Sequence, residues 1–305
     1  MKILIVGAGG VGGYFGAKLM EAGADITFLL REKRHKLISE NGLTIENDDG
    51  SFTVHPKSVT ADQLTPDYDL IMLAPKSYDL RDSLGSLEKA GGKGLFLPFL
   101  NGFNHLEFLD EKYGKDRVMG GVAHIAAMIT ETGAVKRMGD LAGLIAGHRT
   151  PAQEATAREF AGLCEKADFK FTYSEDIEQS LWEKWVMLAT LAAMTTLCLG
   201  SVGEIVATRH GEEMARRTHG EACAIAAANG HPIPEKVKEG QLAMLTREGS
   251  PFTASMMRDL VGGLRTEHEH ILGDLVEKGA PHNIDCPLLK IAYTHMAVAA
   301  GQKQG

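Results

Sequence analysis

The sequence predicts an α/β domain built on a doubly wound parallel sheet, followed by an all-helical domain. Three observations carry this expectation. Residues 1–31 read as strand, glycine turn, helix and second strand. Short apolar runs then alternate with helix-length stretches through the first half of the chain, as in a sheet covered on both faces. From about residue 171 helical periodicity takes over. The expected division is 1–170 for a nucleotide-binding domain and 171–305 for a helical substrate-binding and catalytic domain, with the active cleft between them.

The opening unit comes first. Lys2 to Val6 is an apolar strand, Val11 to Ala22 a helix and Asp25 to Leu30 a second strand. Gly7, Gly9 and Gly12 occupy the fixed places of a G-x-G-x-x-G fingerprint in its required strand-turn-helix setting. One glycine permits the tight turn, one lets backbone reach a pyrophosphate, and one packs helix on strand. Free N–H groups and the helix dipole then favour the phosphate anion. The unit therefore predicts a Rossmann-type dinucleotide site spanning Gly7, Ala8, Gly9, Gly10, Val11 and Gly12. An NAD site would end the second strand in Asp or Glu, to take the ribose 2′-hydroxyl. Here the strand runs into Arg31, followed by Lys33 and Arg34. A guanidinium fork suits a 2′-phosphate, so NADP(H) is the expected cofactor; a solvated basic loop is the competing reading.

Further along, Leu43 to Ile45 and Phe52 to Val54 form an expected hairpin across 47–51. Apolar runs at Asp69 to Ala74, Leu95 to Leu100 and Val118 to Ala123 are expected strands of the parallel sheet, with a helix over Tyr78 to Ala90. Val135 to Met138 and Leu141 to Ala146 read as a closing hairpin across Gly139-Asp140, and Pro151 to Lys166 as a helix. The second part offers helices at Leu181 to Leu199, Glu204 to Asn229, Pro234 to Glu248, Thr253 to Lys278 and Pro287 to Ala300, separated by Gly and Pro. A polar tail, Gly301 to Gly305, follows.

Composition narrows the function classes. With 305 residues and 44% hydrophobic content the chain can bury a large core. A formal charge of −8 argues against nucleic-acid or anionic-membrane partners. Cys164, Cys198, Cys223 and Cys286 lie far apart without C-x-x-C spacing and read as buried thiols of a reducing compartment. The first strand leaves no room for a signal peptide, and the apolar run Trp185 to Leu199 is too short to span a bilayer. A cytoplasmic location is the expectation. Apolar helices in the second part could also supply a homodimer surface.

Several residues could carry chemistry. Lys184 lies near the start of a helix that is apolar almost all round, its face continuing through Leu188 and Ala192 without a carboxylate. Desolvation there would lower its pKa and make it a usable proton donor; a helix-end lysine snorkelling to solvent is the alternative. Lys76 and Asn101 each follow the C-terminal end of an expected strand, where open α/β sheets hold ligands. Glu267 falls in Arg265-Thr266-Glu267-His268-Glu269-His270, which reads as a charged stripe on a solvated helix face. The His-x-His pair there points two ways on a helix, and no H-E-x-x-H or cysteine cluster occurs, so no metal is expected.

Taken together the segments resemble a known family. GAGGVG with Arg31, APKSYDL around Lys76, LNG at Leu100 to Gly102, GGVAHIA at Gly120 to Ala126, LWEK at Leu181 to Lys184, Ser255 and RTE at Arg265 to Glu267 follow the order found in ketopantoate reductases (2-dehydropantoate 2-reductases). The resemblance covers essentially the whole chain. It implies NADPH-dependent reduction of a 2-oxo acid to a 2-hydroxy acid. By family pattern Gly7 to Gly12, Arg31, Lys76, Asn101 and Ala126 would contact the cofactor. Lys184 would donate the proton, Ser255 would touch the substrate, and Glu267 would order the reacting end. Three departures stand out: Leu188, Ala192 and Val202 occupy places where family members that reduce ketopantoate carry asparagine. A pocket walled this way suits a less polar oxo acid, unless another amide such as Asn229 compensates. Open beside this reading are a related carbonyl or imine reductase and a non-catalytic NADP-binding regulator.

Overall fold

A computed structural model describes residues 1–87 and 93–302. Two compact units divide these residues: Met1–Leu100 with His105–Ser180, and Asn101–Asn104 with the residues from Leu181 onward.

In the first unit, β1 (Lys2–Val6), α1 (Gly10–Glu21), β2 (Asp25–Leu29), α2 (Glu32–Asn41), β3 (Leu43–Asn47), β4 (Gly50–Val54), β5 (Lys57–Val59), β6 (Leu70–Leu73), α3 (Leu80–Ser86) and β7 (Leu95–Pro98) follow one another. Five strands form a parallel sheet in the order β5-β2-β1-β6-β7. Ile3, Leu4, Ile5, Leu70, Met72 and Leu73 are fully buried, the signature of central strands covered on both faces. The chain leaves β1 toward β2 on one side and reaches β6 on the other, so β1 ends at the topological switch point where such sheets hold ligands. Of the expected helix over Tyr78 to Ala90, residues 88–90 lie outside the described residues, as do 303–305 of the tail.

A second sheet departs from expectation. Of Val118 to Ala123, Val118 alone adds a parallel bridge to Phe96 of β7, and Gly120 onward belongs to β8 (Gly120–Ile129), which pairs antiparallel with β9 (Val135–Gly147). The latter is one long strand, not the expected hairpin. Between the pairs Ile125↔Ala142 and Ala127↔Arg137, residues 138–141 oppose Ala126 alone. Gly139, at φ +70°, lets the chain loop out there, and Arg137 Nη1 donates to the Asp140 carbonyl at 3.2 Å. What looked like a turn is a bulge. β9 also pairs with β3 and with β10 (Lys170–Tyr173), while α4 (Asn104–Tyr113) and α5 (Glu154–Cys164) complete the unit's helices.

The second unit is helical: α6 (Ile177–Cys198), α7 (Val202–Val206), α8 (Gly211–Ala228), α9 (Glu235–Leu245), α10 (Ser255–Val261), a π-helical turn Glu269–Gly273, α11 (Asp274–Gly279) and α12 (Pro287–Gln302). Two expected helices are broken. Glu204 to Asn229 divides at 207–210, where the chain returns so close to the Ile205 carbonyl that only glycine fits at Gly211. Thr253 to Lys278 divides at Gly262-Gly263, the latter at φ +72°. The threonines of α6 are satisfied locally: Thr190, Thr195 and Thr196 each donate to the carbonyl four residues back at 2.7–2.8 Å, which lets so apolar a helix be buried without stranded hydroxyls. No described helix is long and apolar enough to cross a membrane. Cys164, Cys223 and Cys286 are buried, whereas Cys198 is exposed, contrary to expectation; all four thiols are free.

Candidate active site

The glycine turn is built as its residues require. Gly7 sits at φ +93° and donates its N–H to Leu29. A Cβ at Gly12 would strike the carbonyl oxygen of Gly7 and crowd Ile5 and Ala74, so helix and strand approach too closely for a side chain. Around Gly9 the space is open: a Cβ there would meet no atom within 4 Å. Backbone is therefore presented where the fingerprint needs a pyrophosphate to lie. Gly10 faces β8, where its Cβ would come within 2.8 Å of the Ala127 carbonyl oxygen. This places the bulge residue Ala126 one position from the residue that faces the turn.

Arg31 caps α2 in extended conformation. The segment after it is a helix, not a basic loop. Arg34, one turn on, points inward: Nη2 donates to the Ala8 carbonyl at 3.0 Å and Nη1 to the Gly133 carbonyl at 2.6 Å. Burial pushes the Arg34 guanidinium pKa down. Sequence reading counted Arg34 with the surface cations; it braces the turn. Arg31 itself is exposed and forms an ion pair with Asp79, Nη2 to Oδ1 at 3.2 Å. Lys76, also exposed, precedes the short 3-10 turn Ser77–Asp79 that carries this acid.

Lys184 lies two turns into α6, partly buried. Its Nζ donates to Asn101 Oδ1 at 2.9 Å. Three neighbours of Asn101 explain why that amide is there. Gly102, at φ +82°, turns where a Cβ would meet the His270 backbone oxygen at 2.9 Å. Phe103 stacks on Trp185 with ring centroids 6.4 Å apart and packs on Trp182 at 5.4 Å. Trp185 donates its indole N–H to the Ile271 carbonyl at 2.9 Å, inside the π-helical turn. A segment 83 residues away in sequence is thus hooked against the lysine's own helix.

Glu267 corrects the expected solvated stripe. It is 6% exposed, because the break at Gly262-Gly263 frees the following residues from α10 and turns Glu267 inward just ahead of the π turn. Desolvation pushes Lys184 down to about 8, against an opposing pull from the Glu267 charge. The neighbouring histidines go separate ways: His268 Nδ1 lies 2.8 Å from Thr266 Oγ1, and His270 Nδ1 lies 2.7 Å from Asp274 Oδ2.

The remaining positions all belong to the second unit. Leu188 is partly buried and Ala192 and Val202 fully so. Ser255 is exposed and opens α10. The preceding segment is tied to the other helices: Val202 N–H bonds to Phe252, Gly203 N–H to Ser250, and Ala254 N–H to Thr195 Oγ1. Asn229 is committed elsewhere. Its amide donates to the Ile225 and Lys278 carbonyls at 2.9 and 3.0 Å, closing the end of α8. Both amide hydrogens are thereby engaged within the helices.

Two family models match this chain, the ketopantoate reductase PanE/ApbA domain over residues 3–149 and its C-terminal domain over 176–300. The chain belongs to the ketopantoate reductase family. It is accordingly an oxidoreductase. The uncharacterized oxidoreductase YkpB of Bacillus subtilis is 32% identical over 99% of this chain and 100% of its own length. A 2-dehydropantoate 2-reductase of Halobacterium salinarum is 28% identical over 95% and 96%. Among solved structures, a 2-dehydropantoate 2-reductase from Geobacter metallireducens shares the fold with TM-score 0.89 at 27% identity, covering 98% of this chain and all of that one. D-mandelate dehydrogenase, solved with NADH and anilino(oxo)acetate, shares the fold with TM-score 0.89 at 20% identity over 100% and 99%.

Proposed function

We propose that the protein reduces a 2-oxo acid to the 2-hydroxy acid with NADPH, with Lys184 as the proton donor. The supporting observation is the Lys184 ammonium, held by Asn101, desolvated on an apolar helix and poised at about 8 beside a buried carboxylate. At neutral pH such a group is mostly protonated, yet acidic enough to yield its proton to a carbonyl oxygen gaining negative charge. Its own positive charge stabilises that developing alkoxide, and the low local dielectric strengthens the effect. Glu267 keeps the ammonium from losing its proton too readily, and Asn101 fixes where Nζ points. Ser255 would meet the substrate.

The residues present suit a dinucleotide: the open backbone at Gly9 and the free N–H groups at the start of α1 form an anion cradle. Gly7 to Gly12 would hold the pyrophosphate and Arg31 the 2′-phosphate, with Lys76, Asn101 and Ala126 completing the cofactor contacts. Bound reduced nicotinamide supplies hydride to the carbonyl carbon.

Relatives named for 2-dehydropantoate make that acid the first substrate to try. A second reading, a less polar 2-oxo acid, is favoured by apolar Leu188, Ala192 and Val202 and by the commitment of Asn229 to α8. Purified protein with NADPH should be offered 2-dehydropantoate and a panel of 2-oxo acids graded in polarity, following the reduced-nicotinamide absorbance. Turnover of 2-dehydropantoate supports the first reading, and turnover restricted to apolar acids the second. Tight NADPH binding with no turnover of any acid overturns both.

A further inference from the structure

The residue expected to choose the cofactor does not act alone. Arg31 stands at the end of β2, and the guanidinium that would take a 2′-phosphate is paired with the Asp79 carboxylate at 3.2 Å. Asp79 is held there by its own backbone. The 3-10 turn Ser77–Asp79 is closed by the Asp79 N–H donating to the Lys76 carbonyl at 2.9 Å, which fixes the backbone of the acid that pairs with Arg31 three residues after Lys76. Its side chain is 35% exposed, against 77% for Arg31, so a ligand at Arg31 lies within reach of both.

From this pairing we infer that Asp79 is a specificity-determining residue that weakens the protein's preference for NADPH over NADH. This rests on the reading of Arg31 given above. A 2′-phosphate carries close to two negative charges near neutrality, so its approach to Arg31 brings like charge against Asp79. It must also share or displace an existing partner of the guanidinium. The fork of Arg31 has donors enough for both acceptors, so binding is weakened rather than abolished. For NADH the same carboxylate does the opposite. It offers an acceptor to the ribose 2′-hydroxyl, the role that an acidic residue after the second strand plays in NAD sites. One side chain thus pulls the two affinities in opposite directions, and its effect on their ratio exceeds that on either alone.

The test compares dissociation constants of NADPH and NADH, measured by fluorescence or calorimetry, for the wild type, Asp79→Asn and Arg31→Ala. Asparagine keeps the size and removes the charge. Asp79→Asn should tighten NADPH by about 5- to 10-fold and leave NADH equal or weaker, moving the ratio at least about fivefold toward NADPH. The effect should shrink as salt is raised, because the pair is exposed. Using 2′,5′-ADP and 5′-ADP as probes isolates this end of the cofactor and should reproduce the same ratio change. A ratio unchanged within twofold in Asp79→Asn, while Arg31→Ala still loses NADPH selectively, overturns the role of Asp79 and leaves the function reading intact. If Arg31→Ala weakens both cofactors equally, the 2′-phosphate reading of Arg31 fails and the inference falls with it.

Discussion

Replacing Glu267 by glutamine isolates the electrostatic core of the proposed mechanism. Two influences act on Lys184: desolvation lowers its pKa and the Glu267 charge raises it, leaving it at about 8. Glutamine preserves shape and hydrogen bonding and deletes the charge, so desolvation acts unopposed and the pKa falls. A nearby opposite charge moves a pKa by about 1–3; at the low end Lys184 in the variant titrates near pH ~7. In the proposed mechanism Lys184 acts as an acid, so the reductive rate is held below its pKa and lost as pH rises through it. At pH 8 the ammonium fraction drops from about one half to about one tenth, a roughly fivefold loss of turnover. At pH 9 the deficit approaches about tenfold, and at pH 6 both enzymes are protonated and turn over alike. The assay is kcat against pH at saturating NADPH and substrate. A deficit of equal size at pH 6 and pH 9, or a limb that does not move, would refute the claim that Glu267 acts through the Lys184 proton.

Lys184→Ala should lower turnover by about 100-fold or more, the usual weight of a positioned general acid, with NADPH affinity by calorimetry unchanged within about twofold. Leu188→Asn places an amide four residues after Lys184 and should raise kcat/KM for hydroxylated over unhydroxylated oxo acids by about tenfold; an unmoved ratio would exclude Leu188 from the substrate wall. Gly12→Ala would drive a Cβ into the Gly7 carbonyl and Ala74. It should weaken NADPH by at least about tenfold and lower the melting temperature, since backbone has to shift at the turn.

How legible each part was depends on how local its determinants are. The β1–α1–β2 unit could be read because its requirements are met within a dozen residues: Gly7 at positive φ, Gly12 against the Gly7 carbonyl, an apolar run for a doubly covered strand. Lys184 was legible as a desolvated amine because its own helix supplies the apolar surroundings. Its partners were not. Asn101 arrives through a hook set by Gly102 and Phe103, and Glu267 through a helix break that periodicity in the charged run conceals. The Gly262-Gly263 pair was the available signal. β9 failed for a related reason: Gly139-Asp140 has turn chemistry, but whether such a pair turns or bulges is decided by the strand opposite. Here β8 continues past it and pairs on both sides.

The helix that carries Lys184 shows why this residue stands apart from its surroundings. In α6 the hydroxyls of Thr190, Thr195 and Thr196 are discharged onto the helix's own carbonyls, so they sit in a buried helix at little cost. The lysine has no such outlet. Below pH ~8 its ammonium is charged in both folded and unfolded chains, and the lowered folded pKa means folding bears at most about 3 kcal/mol there. Because the unfolded chain binds the extra proton between about pH 8 and 10, that cost fades as pH rises through this window. Asn101 and Glu267 offset part of it without removing it. A methionine would fill the same space on α6 without the charge, so helix packing gives no reason for an amine here. The proposed proton transfer supplies one, since it requires an ammonium that is costly enough to release its proton near neutrality and supported well enough to keep it until then.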